Sequence, residues 1–309
     1  MNWRERVEEY QNHPGINYST LKTLSINPAG LLLKDRKETR ALNFGSALET
    51  MLCFGEEEFK KDFVVADTDK PTGQMGLFCD ALIEQGDISD TTFNEAYIAT
   101  KAKRDTVTQF ISNWYNSEAA KKYTYLGIEA KGKSILTSDE YTKLVDLVLR
   151  VKGSKFLQHI FTSNAEYQKP FYVTENGIAK KALCDIYVET KDGPIIVDIK
   201  TSILGMLGFP KAIYQYRYDL QAGWYTHVLG RRDVKFYFLV IDTEYNNPPV
   251  LYYATPAFLD KARTGYYVHW RYYKGWEQLL SELIEHNELQ QYEYPMDIYK
   301  NNGVVSFDL

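Results

Sequence analysis

The pattern of apolar positions changes near the middle of the chain. Up to about residue 160 they recur at helical spacing. In "NFGSALETMLCFG", Phe44, Leu48 and Leu52 fall on one side of a helix. "NYSTLKTL" offers Asn17 or Ser19 as a helix cap, and residues 91–118 read as one long helix or two. "LTSDEYTKLVDLVLRV" opens another helix with a capping box, Thr137 with Glu140. Beyond that point alternation takes over. "AEYQKPFYVT", "IAKKALCDIYVET" and "PIIVDIKT" predict three strands, with "ENG" (175–177) and "KDG" (191–193) as hairpin turns. A helix over "AIYQYRYDLQAGWYTHVLG" follows, then strands over "VKFYFLVID" and "VLYYAT". A long aromatic-rich helix from about Pro256 to about His286 closes the pattern.

Strands with helices gathered around them predict an α/β (α+β) fold, a central mixed β-sheet flanked by helices. The expected organisation is one domain over 1–309. Its parts are a mainly helical 1–160 wrapping the sheet, core sheet and helices over 161–286, and a tail over 287–309.

Alternation also sorts the charges. In "KKALCDIYV", Ala182, Cys184, Ile186 and Val188 share one face, and Lys181, Leu183, Asp185 and Tyr187 the other. In "PIIVDIK", Ile195, Val197 and Ile199 share one face, and Ile196, Asp198 and Lys200 the other. A two-residue turn at Lys191-Asp192 or at Asp192-Gly193 makes the two apolar faces coincide. Asp185, Asp198 and Lys200 then converge on strands about 4.8 Å apart. Two carboxylates that close repel unless a cation sits between them, and a hard, oxygen-liking divalent ion such as Mg²⁺ meets that need. A lone D-x-K would be an ordinary cross-strand salt bridge. Glu166 on the preceding strand and Gln221 on the following helix make the bland reading weaker. Tyr214, Tyr218, Gln221 and Tyr225 form one stripe of that helix, a polar residue among aromatic ones.

Composition narrows the classes. No apolar run approaches the ~20 residues of a membrane span, and the charged start "MNWRERVEEYQNHPG" has no signal-peptide core. Three scattered cysteines predict neither disulfides nor a zinc or iron–sulfur site, and fit a reducing cytoplasm. The net charge of −5 gives no support for general nucleic-acid affinity and does not exclude it, since local basic clusters can coexist with an acidic exterior. Lys34, Arg36, Lys37 and Arg40 form one candidate, and Lys101, Lys103 and Arg104 another. Lys181, on the Asp185 face, is a better candidate for a phosphate contact.

"GIEAKGKS" (127–134) matches the P-loop pattern letter for letter. A P-loop needs its Lys and Ser at the first turn of a helix. Here the capping box starts the helix only at about Ser138, and Glu129 would put a negative charge in the cradle. The segment reads instead as a turn entering a short extended piece.

Asp185, "VDIKTS" and "YRYDLQ", in that order and spacing, resemble the PD-(D/E)XK nuclease superfamily. The likeness is to its RecB-like branch and to the C-terminal nuclease domain of the exonuclease VIII (RecE) kind, with "NHPGINYSTLKTLSINPAGLL", "LNFGSALETML" and "GKSILTSDE" as further matching stretches. The resemblance implies a restriction-endonuclease-like core and an Mg²⁺-dependent (or Mn²⁺-dependent) exodeoxyribonuclease. It implies Asp185, Asp198, the carbonyl of Ile199, Glu49 and Glu166 as metal ligands. Lys200 would orient or activate the attacking water, with Gln221 and Tyr218 as the Y-x-x-Q element and Tyr214, Tyr218 and Lys181 against DNA. Glu49 stands where that branch usually carries histidine. The resemblance also implies processive 5′-to-3′ digestion of linear double-stranded DNA for recombination. With it come a ring-shaped homo-oligomer, a RecT-like annealing partner and a cytoplasmic, bacterial or phage setting. Competing expectations are another PD-(D/E)XK endonuclease or a Cas4-like nuclease, a P-loop ATPase, and a catalytically inactive DNA-binding protein.

Overall fold

The computed structural model describes residues 2–32, 40–102, 105–130 and 132–300. Lys34, Arg36, Lys37, Lys103 and Arg104 lie outside these. The chain forms two compact units, one of Met1–Lys37 with Arg150–Leu309, the other of Glu38–Leu149. No helix among the described residues is long and apolar enough to cross a membrane.

The first unit opens with α1 (Trp3–Asn12), whose N-terminus is closed by a capping box between Asn2 and Glu5. Asn17, not Ser19, caps α2 (Tyr18–Ile26), its side chain accepting the Thr20 amide at 2.9 Å. The second unit runs through α3 (Arg40–Cys53), α4 (Glu56–Asp62), β1 (Phe63–Ala66), α5 (Gly73–Gln85), α6 (Asp90–Thr100), α7 (Val107–Asn116), α8 (Glu118–Glu129) and β2 (Ser134–Thr137). The stretch 91–118 is therefore broken twice. Lys101 ends α6 in the left-handed region, at φ 52°, and Thr106 and Ser117 cap the helices that follow. The breaks let Phe78, Phe93, Phe110 and Trp114 meet in one buried cluster. β1 and β2 pair in parallel.

The capping box of Thr137 and Glu140 forms as the sequence predicts and opens α9 (Ser138–Gly153). Upstream, Gly127 lies inside α8, Ser134 begins a strand, and Lys133 Nζ donates to the Lys60 carbonyl at 2.8 Å. No helix starts after the "GKS", so the geometry a phosphate cradle requires is missing from this stretch.

The remainder of the first unit is a five-stranded mixed sheet. It contains β3 (Ala165–Glu175), β4 (Ile178–Val188), β5 (Ile195–Ser202), β6 (Lys235–Asp242) and β7 (Val250–Ala254), which lie in that order. β5 and β6 run parallel, and every other neighbouring pair is antiparallel. The β5–β6 crossover carries α10 (Gly205–Tyr216) and α11 (Tyr218–Leu229). Leu220, Trp224, Tyr225 and Val228 of α11 bury against Ile196, Phe236 and Phe238 of the sheet.

Two long helices expected from the sequence are each split. Over 212–230 the break is Arg217, at φ 56° and ψ 41°. Its buried guanidinium spans Asp219, with bonds of 3.1 and 3.2 Å, and donates to the Lys274 carbonyl at 2.5 Å. Over 256–286 the chain instead forms α12 (Pro256–Thr264), a hairpin of β8 (Tyr266–Val268) and β9 (Arg271–Tyr273), and α13 (Trp276–Leu289), before a short α14 (Met296–Lys300). Gly265 takes φ 95°, and a Cβ there would meet the Tyr272 hydroxyl at 2.2 Å.

Strict alternation fails in β4. Ala182 and Cys184 join the same core cluster as Tyr187 and Ile196, which a regular strand forbids. The face changes between Cys184 and Tyr187, at Asp185. Across the ladder, Gln168 leaves the paired register and takes φ 48°. Lys181 consequently does not share a face with Asp185.

The Arg217–Asp219 pair should dominate the stability of the kink. Arg217→Ala leaves Asp219, which is 0% exposed, without its cation, and should cost about 3–5 kcal/mol in urea denaturation. The double change Arg217→Met, Asp219→Leu should recover most of that loss. An unchanged midpoint for Arg217→Ala would contradict this account.

Candidate active site

The site lies where β4 and β5 part. Their ladder runs from Val188↔Ile195 to Ile186↔Val197, the register of a turn centred on Lys191 and Asp192. The next facing residues are Asp185 and Asp198, and there backbone pairing stops. Asp185 takes over the lost ladder bond, its Oδ2 accepting the Ile199 amide at 2.8 Å. Its Oδ1 lies 3.5 Å from Gln168 Nε2. The residue opposite the irregularity thus faces the first carboxylate.

Asp198 is 1% exposed. Gln221 Nε2, from α11, donates to its Oδ1 at 2.5 Å. Lys200 Nζ forms an ion pair with its Oδ2. The Lys200 ammonium also sits 4.7 Å from the centroid of the Tyr218 ring, a cation–π contact. Tyr18, on α2, is a further wall, edge-on to Tyr225 and close enough for its charge state to sense Lys200 and Asp198. Nothing in "NYSTLKTL" beyond a helix start pointed to that role.

Burial raises the Asp198 carboxyl above the usual aspartate range, and Lys200 and Gln221 pull it back part of the way. Burial alone would lower the Lys200 ammonium. The carboxylates of Asp198 and Asp185 outweigh it and hold the lysine above its ordinary value. Lys200 is therefore a firm cation in this arrangement.

The donor set fits a hard divalent cation. Asp198 Oδ2 is paired with the Lys200 ammonium, so a positive charge already stands beside the carboxylate. The buried Gln221 Oε1 has no partner. All available donors are oxygens, which suits Mg²⁺ or Mn²⁺ over softer metals. Among the described residues no three His, Cys, Asp or Glu side chains gather into a metal-binding group. Two carboxylates match the way Mg²⁺ is commonly held, with water and substrate phosphate filling the other positions.

The other expected residues fall elsewhere. Glu166 pairs with Tyr187 across the ladder, but its carboxylate is half exposed and bonds Lys169 at 2.5 Å. It does not join Asp185 and Asp198 in a metal-binding group; its carboxylate is held by Lys169. Lys181 is 5% exposed, and its ammonium caps the end of α1 through the carbonyls of Tyr10, Gln11 and His13 at 2.7, 3.3 and 2.5 Å. Expected as a phosphate contact, it is instead a structural cap. Tyr214, on α10 before the kink, is turned from Lys200 to the rings of Tyr266 and Tyr273, at 6.1 and 6.0 Å. The stripe of four is thus cut after its first member. Glu49 is half buried on α3 of the second unit. Arg40 opens that helix, and Lys101 is an exposed helix cap.

A family model described as "PDDEXK-like domain of unknown function (DUF3799)" matches residues 19–274. The chain belongs to this PDDEXK-like family. The matched span takes in Asp185, Asp198, Lys200, Tyr218 and Gln221. Among solved structures, the PDDEXK-like chain is similar to a Eubacterium rectale protein provisionally called an exonuclease, at 12% identity and a TM-score of 0.47, covering 100% of this chain and 94% of that one. It also matches the protein SSO0001 at 14% identity and a TM-score of 0.28, covering 81% and 84%. No curated protein sequence matches the chain.

Lys181→Met should lower thermal stability by about 1–3 kcal/mol, since the carbonyls of Tyr10, Gln11 and His13 lose the donor that caps α1. It should leave the salt dependence of DNA binding unchanged. A shallower salt slope in fluorescence anisotropy would restore Lys181 as a phosphate contact.

Proposed function

We propose that this PDDEXK-like domain is a metal-dependent deoxyribonuclease. The observation that carries the reading is the meeting of Asp185, Asp198 and Lys200 where the β4–β5 ladder ends, with Gln221 and Tyr218 fixing Asp198 and Lys200 from α11.

Asp185 and Asp198 would hold the cation. A bound divalent ion supplies charge neutralisation at the scissile phosphate and a more acidic water. Gln221 keeps one Asp198 oxygen occupied and leaves the other facing Lys200. Lys200, held as an ammonium, orients the attacking water and offsets charge that builds on the phosphate. Tyr218 limits where that ammonium can sit. The carbonyl of Ile199 is a candidate further ligand, because its amide is already fixed by Asp185.

For the substrate, the resemblance described above supports ends of linear double-stranded DNA, processive 5′-to-3′ digestion, Mg²⁺ as the ion, and a role in recombination. A ring of identical subunits and a single-strand annealing partner belong to the same proposal.

Wild-type protein with Mg²⁺ should shorten linear duplex DNA, and EDTA should stop it. Lys200→Ala should slow digestion by ~10²–10⁴-fold. Asp198→Asn should also abolish Mn²⁺ binding followed by calorimetry. Full digestion by Lys200→Ala would remove this site from the reaction. Substrates labelled at the 5′ or the 3′ end test polarity: release of the 3′ label first would refute 5′-to-3′ digestion. Light scattering tests the ring, and a monomeric mass would rule it out.

Gln221→Ala frees Asp198 Oδ1 and should weaken metal binding and slow the reaction. Gln221→Glu should do more damage, by placing a third negative charge beside a buried carboxylate. Equal rates for both variants would show that Gln221 does not position Asp198.

A further inference from the structure

The β8–β9 hairpin is not accounted for by the carboxylate site. Its sequence, "YYVHWRYY", turns at His269 and Trp270, with φ 45° and 67°. A two-residue hairpin turn of this kind ordinarily takes Asn-Gly, because both residues need the left-handed region. Bulky side chains rarely adopt it, and such strain collects at binding sites. The turn sets Trp270 99% exposed. Burial therefore does not explain a tryptophan at this tip.

The base of the hairpin is rigid and tied to the active helix. Tyr266 and Tyr273 stack with centroids 5.6 Å apart and planes 12° from parallel, and Tyr214 packs on both. Arg217 lies over Tyr273 at 5.5 Å and bonds the Lys274 carbonyl. The next residue after Arg217 is Tyr218, whose ring meets Lys200. Three-residue strands hold the tip about 10 Å from this clamp.

The charge beside Trp270 is positive. Arg271 is exposed, lies over the Tyr273 ring at 5.2 Å, and has no carboxylate partner among the described residues. A cleft of about 310 Å³ opens at the hairpin base, lined by Tyr214, Gln215, Arg271, Tyr272 and the Lys274–Glu282 ion pair among others. That volume is at the small end of ligand-sized clefts. A projecting indole with an exposed guanidinium beside it has the elements that grip unpaired nucleotides: an aromatic face for the base and a cation for the backbone.

We infer that the β8–β9 hairpin is a base-stacking contact for an unpaired stretch of the nucleic-acid substrate, Trp270 stacking on a base and Arg271 meeting a phosphate. The inference rests on the nuclease reading, which places nucleic acid at this unit. It adds a contact that recognises single-stranded character and that the carboxylate site alone would not supply.

The test measures binding apart from cleavage. Anisotropy of a fluorescein-labelled duplex with a single-stranded tail is followed with Ca²⁺ in place of Mg²⁺, using wild type, Trp270→Ala, Trp270→Phe and Arg271→Gln. Trp270→Ala should weaken binding roughly 5- to 100-fold, and Trp270→Phe should keep most of the affinity. Arg271→Gln should flatten the slope of log affinity against log salt by about one. Circular dichroism confirms folding, which an exposed tip residue does not control. If Trp270→Ala binds the tailed duplex as tightly as wild type while wild type digests DNA, the hairpin inference falls and the nuclease reading stands. If Trp270→Ala leaves DNA affinity intact and changes the mass in light scattering, the tip is a protein interface and the inference is overturned. If wild type neither binds nor digests DNA, both readings fall together.

Discussion

A carboxylate takes the place of a strand bond at the centre of this molecule. Where β4 and β5 separate, Asp185 accepts the amide of Ile199, which antiparallel pairing would otherwise have engaged. An unpaired buried amide there would be costly, so the carboxylate satisfies the backbone while staying in the site. The same bond sets the end of the ladder, brings Asp185 opposite Asp198, and leaves β5 free to pair with β6 along its whole length. The charged cluster follows from it. Two carboxylates face each other across the gap, and Lys200 is held between their fields as a cation.

The second constraint is the kink at Arg217. A continuous helix would carry Tyr214, Tyr218 and Gln221 along one stripe, with all three facing the sheet. The left-handed residue separates them. Gln221 reaches Asp198 and Tyr218 reaches Lys200, while Tyr214 is released to pack on the aromatic hairpin. The guanidinium that fixes the kink is buried against Asp219 and the Lys274 carbonyl. One ion pair therefore orients the helix that closes the site and also anchors the hairpin. Burying such a pair has a desolvation cost, so its return is in specificity more than in stability.

Much of the site was legible because strand registers are discrete. A turn near "KDG" permits few pairings, and parity alone put Asp198 and Lys200 on one face with Asp185 opposite. Gln221 was legible as a polar residue in an apolar stripe. Parity misled at Lys181, because a reversal of face between Cys184 and Tyr187 leaves no mark in a one-dimensional pattern. Glu166 keeps its ladder partner Tyr187, but its carboxylate pairs with Lys169, a side-chain contact that strand pattern does not encode. Gly265 could have hinted that the helix predicted over 256–286 was interrupted, and the alternating "YYVHWRYY" beyond it is a strand signal in hindsight.

By itself the sequence determined the α/β class, the strands of the mixed sheet, the D…D-x-K order and the PDDEXK-like membership, since these depend on periodicity and on spacing along the chain. Tertiary structure alone decided which of the other expected residues reach the site. Lys181 became the cap of α1, Glu166 went to the surface, and Tyr18 and Gln168 came in, because each outcome depends on a contact between residues distant in sequence or on a local break in alternation. Periodicity carries no information about either.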